Sequence, residues 1–297
     1  MNTPKDSTAN SDSSLQIKRP KIMDAVNRPR PTPATTLEPN ILKETYKIRS
    51  YEVDCRNRLS IPSMFSFMQE TAGKHADALG VSIHQLRTEN CTWLLSRLKI
   101  KITTYPAWKD RIQVRTWPSG TQGLHALRDF ELINNENQII AAAVSAWLVI
   151  DIHKRRPLRI APFIDRLKPL EGTHSLPDSL DKLPGCEDHT YARNFAVRYQ
   201  DIDINQHVNN VSFVEWVLES VPAATLNNSN ISELQINFLA EAFQGDQIRA
   251  ACQPEDSSNK AFHHSLSRHR DDRELVRAKT VWCKNEEKPK VKVENLD

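Results

Sequence analysis

The sequence predicts an α+β fold built twice, as two tandem copies of a long helix wrapped by a curved antiparallel sheet. Two observations carry this reading. First, the chain repeats itself. YKIRSYEVDCRNRLSIPSMFSFMQETA from Tyr46 lies on FAVRYQDIDINQHVNNVSFVEWVLESV from Phe195 at a constant offset of 149. LKIKITTYPAWKDRI from Leu98 lies on LQINFLAEAFQGDQI from Leu234 at 136, and AAVSAW ending at Trp147 lies on RAKTVW ending at Trp282 at 135. Three blocks in one order, with a shrinking offset, mark a duplication with loop deletions in the second copy. Second, each copy places one helical stretch ahead of a run of alternating strands, the pattern of an antiparallel sheet that curls around its helix.

Residues 1–43 are rich in Ser, Thr, Pro and Asn, with few apolar residues before Ile41, so they read as a disordered tail. The first copy spans 44–152. It opens with a strand over 47–53 and a helix over 61–79, entered by Ser60 with Pro62 just inside. Strands follow over 93–103, 111–117, 124–133 and 139–152. A proline-studded linker over 153–191 crosses the surface. The second copy spans 192–284, with a strand over 196–204 and a helix over 210–221 that stops before Pro222. Val211, Val214, Leu218 and Val221 give that helix one apolar stripe. Its strands fall over 233–239, 247–252, 261–268 and 275–282, and 285–297 is a charged tail.

Composition narrows the function. The net charge is +3, and residues 1–43 carry all of it, with seven Lys/Arg against four acids. The rest sums to zero, which argues against a nucleic-acid-binding body. The longest nearly apolar run, 139–150, is too short to span a bilayer, so no integral membrane association is expected. Five cysteines without a C-x-x-C pair suit a reducing compartment. With no secretory core, the cytoplasm is expected. A plastid is the alternative for a plant or alga, with 1–43 as a poor, acid-containing transit peptide. No Gly-rich phosphate loop and no metal-ligand spacing is present, so no cofactor or metal is expected.

Duplication supplies an internal control. Asp203 has a counterpart in Asp54, but Asn205 faces Arg56, His207 faces Arg58, and Glu241 faces Tyr105. Only the second copy holds an Asp, an Asn, a His and a Glu. If the segment is extended, Asp203, Asn205 and His207 share one face, ahead of a helix start at Asn209–Asn210. Backbone N–H groups at that start, near 208–210, are candidates to hold an oxyanion.

The string DIDINQHVNNVSFVEWVLESVP resembles the D-x-N-x-H-V-N-N segment of acyl-acyl-carrier-protein (acyl-ACP) thioesterases. IRSYEVDCRNRLSIPSMFSFMQETAGKHA and NCTWLLSRLKIKITTYPAWKDRIQVRTWPSG resemble that family's first half in order and spacing. The likeness runs from about Tyr46 to Trp282. It implies two tandem hot-dog domains and a catalytic set of Asp203, Asn205, His207 and Glu241. Plant members have a Cys after that Glu. Ala242 stands here, so the resemblance points to activated water and away from a cysteine nucleophile. Glu241 is then the general base, sharing a water with His207, with Asn205 and Asp203 in positioning roles. The family holds the acyl chain largely in its first domain, which implies Met64, Met68, Trp93, Leu95, Trp117, Leu124 and Trp147 as lining. Its acidic carrier implies basic docking groups, either Arg97, Lys99 and Lys101 or Lys154, Arg155, Arg156 and Arg159. The expected activity is hydrolysis of fatty acyl-ACP to free fatty acid by a monomer or homodimer. An acyl-CoA thioesterase and an inactive acyl-binding protein are the alternatives.

Overall fold

The computed structural model describes residues 40–177, 180–186 and 190–284. These belong to one compact unit. The chain runs through β1 (Leu42–Lys47), α1 (Ile61–Ala78), α2 (Ile83–Thr88), β2 (Cys91–Ile102), β3 (Arg111–Gln122), β4 (His125–Asn134) and β5 (Ile139–Asp151). It continues with β6 (Arg156–Pro157), α3 (Ala161–Leu167), β7 (Tyr191–Ala196), α4 (Asn210–Glu219), α5 (Ala223–Asn228), β8 (Ser229–Phe238), β9 (Gln247–Pro254), β10 (Ala261–Arg268) and β11 (Arg273–Lys284). The tail expected over 285–297 and most of that over 1–43 lie outside the described residues. Residues 40–43 do not fray: Asn40 is buried, and Leu42 and Lys43 pair with Thr116 and Arg115.

The duplication is written into the sheet. Among the described residues eleven strands form one antiparallel sheet in the order β1-β3-β4-β5-β2-β8-β11-β10-β9-β7, with β6 beside β5. The two halves carry the same order, reflected about the β2–β8 junction. At its centre Lys99 pairs with Gln235, flanked by Leu98 with Ile236 and Ile100 with Leu234. These are the residues that the 136 offset equates, so the two copies meet as an isologous dimer interface would. The main core crosses the junction. Met64, Phe65 and Met68 of α1 bury with Phe213, Val214 and Val217 of α4.

Caps set the helix starts. Ser60 Oγ accepts from Ser63 N at 3.2 Å, and Asn209 Oδ1 accepts from Val211 N at 2.9 Å. The helix α4 ends at Glu219, two residues short of the expected end.

The strands expected over 47–53 and 196–204 require correction. Both segments leave the sheet early, turn through a short 3₁₀ helix and then fold into a tight turn. Glu52 and Asp201 drive the first step, their carboxylates accepting from Arg49 N and Arg198 N at 2.7 Å. Alternating polar and apolar residues mimic a strand here, but the acids bind backbone instead of lining a face. The expected linker is also more than a crossing. Leu176 and Leu180 bury against Ala142, Val144 and Ala146, on the side of the sheet away from the main core. Leu183 N donates to Asn237 Oδ1 at 2.7 Å. The linker straps that outer face.

Candidate active site

Asp203 builds the turn that carries the site. Its Oδ1 accepts from Asn205 N at 2.8 Å and His207 N at 3.4 Å, while Asp203 N donates to His207 O at 2.8 Å. Gln206 takes φ +65 to close it. Asp54 makes the same turn in the first copy, with Arg56 N and Arg58 N at 2.9 and 3.1 Å and Asn57 at φ +59. The shared Asp therefore serves the fold, and the variable residues decide what each turn presents.

In the second copy the turn presents chemistry. Val208 N donates to Ala242 O at 2.9 Å, tying the turn to the loop after β8. That loop, and not a strand, carries Glu241. The tie brings His207 Nε2 within 3.6 Å of Glu241 Oε2, both side chains about 30% exposed. Phe243 sets its ring against His207 at 5.2 Å. Asn205 Nδ2 donates to Asp203 Oδ2 at 3.1 Å, which fixes the amide. Asp203 meets His207 only through the backbone, so it positions Asn205 and does not orient the imidazole. Of the candidate oxyanion donors, Val208 N and Asn209 N are spent on Ala242 O and Asp201 O. The Asn210 N–H, first in α4, has no partner among the described residues.

The first half reaches into this site. Arg87 Nη2 donates to Asn205 Oδ1 at 2.8 Å. Arg155, in the turn after β5, donates to the Glu241 oxygen that faces His207. Sequence reasoning missed Arg87 because it missed α2. The signal was present: Ser82 and Gln85 form a capping box, Ser82 N donating to Gln85 Oε1 at 2.7 Å.

The sister turn is plugged. Arg58 pairs with Asp54 at 2.5 Å. Burial works against ionising Asp54, but the Arg58 hydrogen bond and charge outweigh it and hold the carboxyl below its usual range. Tyr105, at the Glu241 position, donates to Ile231 O at 2.8 Å under the Arg58 guanidinium.

The expected acyl-lining residues scatter. Met64 and Met68 are core on α1, and Leu95 is buried on β2. Trp93 packs on a second cluster around Val81, Leu86 and Val149, its indole N–H donating to Val81 O at 2.7 Å. Trp147 donates to Ser145 Oγ at 2.8 Å. Trp117 turns to the outer face and donates to Thr173 O at 2.9 Å, and Leu124 sits exposed in the β3–β4 turn. Those two are corrections: outward alternation and a turn position take them away from α1.

The two basic groups also part. Arg97 donates to Leu180 O at 2.8 Å beneath the linker, and Lys99 and Lys101 reach Glu233 at 3.2 and 3.8 Å. Their charge is engaged inside the junction, which corrects the docking expectation for that trio. Lys154, Arg155, Arg156 and Arg159 are exposed around the turn that touches Glu241.

Comparison with known proteins places the chain in a family. Residues 39–166 match the acyl-ACP thioesterase N-terminal domain, and 186–284 match the C-terminal domain. The chain belongs to the acyl-ACP thioesterase family. It is 25% identical over 282 residues to a chloroplastic acyl-[acyl-carrier-protein] hydrolase of Cuphea viscosissima, covering 89% of this chain and 68% of that one. It is 27% identical over 267 residues to the chloroplastic palmitoyl-acyl carrier protein thioesterase of Gossypium hirsutum, covering 82% and 63%. The chain thus spans about two thirds of the length of these curated relatives. The crystal structure of a Bacteroides thetaiotaomicron acyl-ACP thioesterase superposes with a TM-score of 0.73 at 23% identity, over 82% of this chain and 98% of that one. The 12:0-ACP thioesterase of Umbellularia californica gives 0.74 at 24%, over 82% and 98%. These likenesses fix the fold as the tandem hot-dog type.

Proposed function

We propose that the chain hydrolyses the thioester of fatty acyl-ACP, releasing free fatty acid, with water activated at Glu241 and His207. The observation that carries this reading is the His207–Glu241 pair at 3.6 Å, half-open to solvent, beside a fixed Asn205 and an exposed basic turn. Glu241 takes a proton from water as its oxygen attacks the thioester carbon. The developing oxyanion lies against the Asn210 N–H at the positive end of α4. Collapse breaks the C–S bond, and the proton returns to the leaving thiolate. Ala242 is fully buried and has no nucleophile to offer.

Lys154, Arg155, Arg156 and Arg159 form the docking face for the acidic carrier protein. The working division keeps 44–152 as the acyl-holding domain, 153–191 as linker and 192–284 as the domain with the catalytic residues. A monomer and a homodimer both suit a site that a single chain completes. The five cysteines are free, which suits the cytoplasm or, in a plant or alga, a plastid. Among the described residues no helix is long and apolar enough to cross a membrane.

Assay of the purified protein against acyl-ACP and acyl-CoA series tests the reading. Hydrolysis of acyl-ACP at the higher kcat/KM is expected. No hydrolysis of either series contradicts it, and a preference for CoA replaces the carrier with a nucleotide thioester.

A further inference from the structure

Inside the first half, the sheet face that looks at α1 holds a guanidinium with no anion beside it. Arg128 on β4 stands between Ala126 and Phe130, which bury into two separate apolar clusters. It is 7% exposed. Its Nη1 donates to His75 Nδ1 at 3.0 Å and to Thr116 Oγ1 at 3.3 Å. Among the described residues no carboxylate pairs with it, and its remaining N–H groups meet no acceptor. His75 Nε2 meets Asn40 Oδ1 at 3.1 Å, and Asn40 Nδ2 donates to Leu167 O at 2.7 Å and to Lys168 O. This relay orients each member but supplies no negative charge. Burial lowers Arg128 to about 10, so it stays charged at neutral pH. Burial and that charge push His75 down to about 4, so it stays neutral.

The fold does not require this cation, because the sister half does without it. Arg128 pairs across the sheet with Ser145, and Phe262 pairs with Thr280. Ser145 and Thr280 are equivalent, each accepting from its own tryptophan, Trp147 and Trp282, at 2.8 Å. At the Arg128 position the second half therefore holds a fully buried phenylalanine. Its neighbouring polar groups close on one another, His264 meeting Ser220 Oγ at 3.0 Å and Thr280 Oγ1 at 2.9 Å. A buried charge left unpaired is costly, and a guanidinium offers donors only.

Its place in the first half suggests what it is for. The second apolar cluster shares elements with both Arg128 and the catalytic groups, Ala126 lying two residues before Arg128 on β4. The helix α2 gives Leu86 to that cluster and Arg87 to Asn205. The strand β5 gives it Val149, and the turn just beyond carries Arg155 to Glu241. From Asp151 to Ser145 along β5 is about 20 Å at ~3.3 Å per residue. An acyl chain admitted among these apolar side chains would run along β5 toward Ser145, the cross-strand partner of Arg128.

We propose that Arg128 is a subsite for an oxygen acceptor at the distal end of the acyl chain, favouring a carboxylate over a hydroxyl and a hydroxyl over a methyl. The proposal rests on the thioesterase reading and on the first half holding the chain. A carboxylate meets the planar fork with paired charge-assisted bonds, whereas a methyl end offers the guanidinium no acceptor. Sites built around buried polar groups reject ligands lacking the partner far more strongly than apolar pockets reject a methylene.

Binding can be measured without turnover, using acyl-pantetheine amides of one chain length that end in methyl, hydroxyl or carboxylate. Calorimetry on the whole protein should show the carboxylate end binding at least roughly tenfold tighter than the methyl end. In Arg128→Met that advantage should vanish while the methyl-ended amide binds as well or better. Equal or tighter binding of the methyl end by the unaltered protein overturns the proposal, as does an advantage that survives Arg128→Met. Should that variant not fold, Arg128→Lys keeps the charge and loses the fork, and an undiminished carboxylate advantage there is equally fatal. Hydrolysis of methyl-ended acyl-ACP without any end-group preference overturns the subsite alone and leaves the thioesterase function intact.

Discussion

One aspartate at each turn does the same structural work, and its neighbours separate a plugged site from a reactive one. Asp203 and Asp54 both gather backbone N–H groups at positions two and four ahead. After that, Arg56 and Arg58 fill one turn and Asn205 and His207 arm the other. The candidate site residues stood out because duplication supplied its own control. Their geometry did not, since an Asx-type turn and a strand face share the same alternation. The exposed cations are predicted to act on docking. Replacing Lys154, Arg156 and Arg159 together by Ala should raise KM for acyl-ACP by roughly tenfold at low ionic strength, with kcat unchanged. The effect should shrink as salt screens the turn, which steady-state kinetics across a salt series will show. Ala242 is fully buried in the main core, so Ala242→Cys should leave kcat within a few-fold. A large gain there points to thiol chemistry instead.

At the scale of elements, caps matter more than apolar runs. The helix α1 was legible from Ser60 and Pro62, and α4 from Asn209 and the stop at Pro222. The short α2 was not, although its capping box was written in the sequence, because six residues are too few to show helical periodicity. Yet α2 carries Arg87 to Asn205. The Asn209 cap holds the first turn of α4, which carries the proposed oxyanion donor, the Asn210 N–H. Asn209→Ala should cost ~1 kcal/mol of stability in urea unfolding. It should also lower kcat, as the helix mouth loosens. Unchanged kcat after that loss separates the cap from catalysis.

For the molecule as a whole, two copies joined through β2 and β8 form one sheet and one core, and only one copy keeps the chemistry. The repeat followed from the offsets, whereas the strand order, with β2 and β8 at the junction, did not. The outer-face strap did not, because Leu176, Leu180 and Leu183 carry the i, i+4, i+7 spacing of a helix face, yet the described residues around them form no helix. Two buried neutral histidines set the acid response. Burial holds His264 at about 3 and His75 at about 4, against 6.5 when exposed. Between those values and about 6.5 the unfolded chain binds more protons, so stability is complete above 6.5 and falls as pH drops toward 4. The melting temperature should follow that curve, and His264→Gln should flatten it. A melting temperature independent of pH over this window contradicts the burial assignment.

In the proposed mechanism water, and no side-chain nucleophile, opens the thioester at Glu241. The most direct test is kcat for acyl-ACP hydrolysis by Glu241→Gln, a change that keeps the shape and removes the base. A fall of ~10²–10⁴-fold with KM little altered is expected. Full activity in that variant contradicts the mechanism.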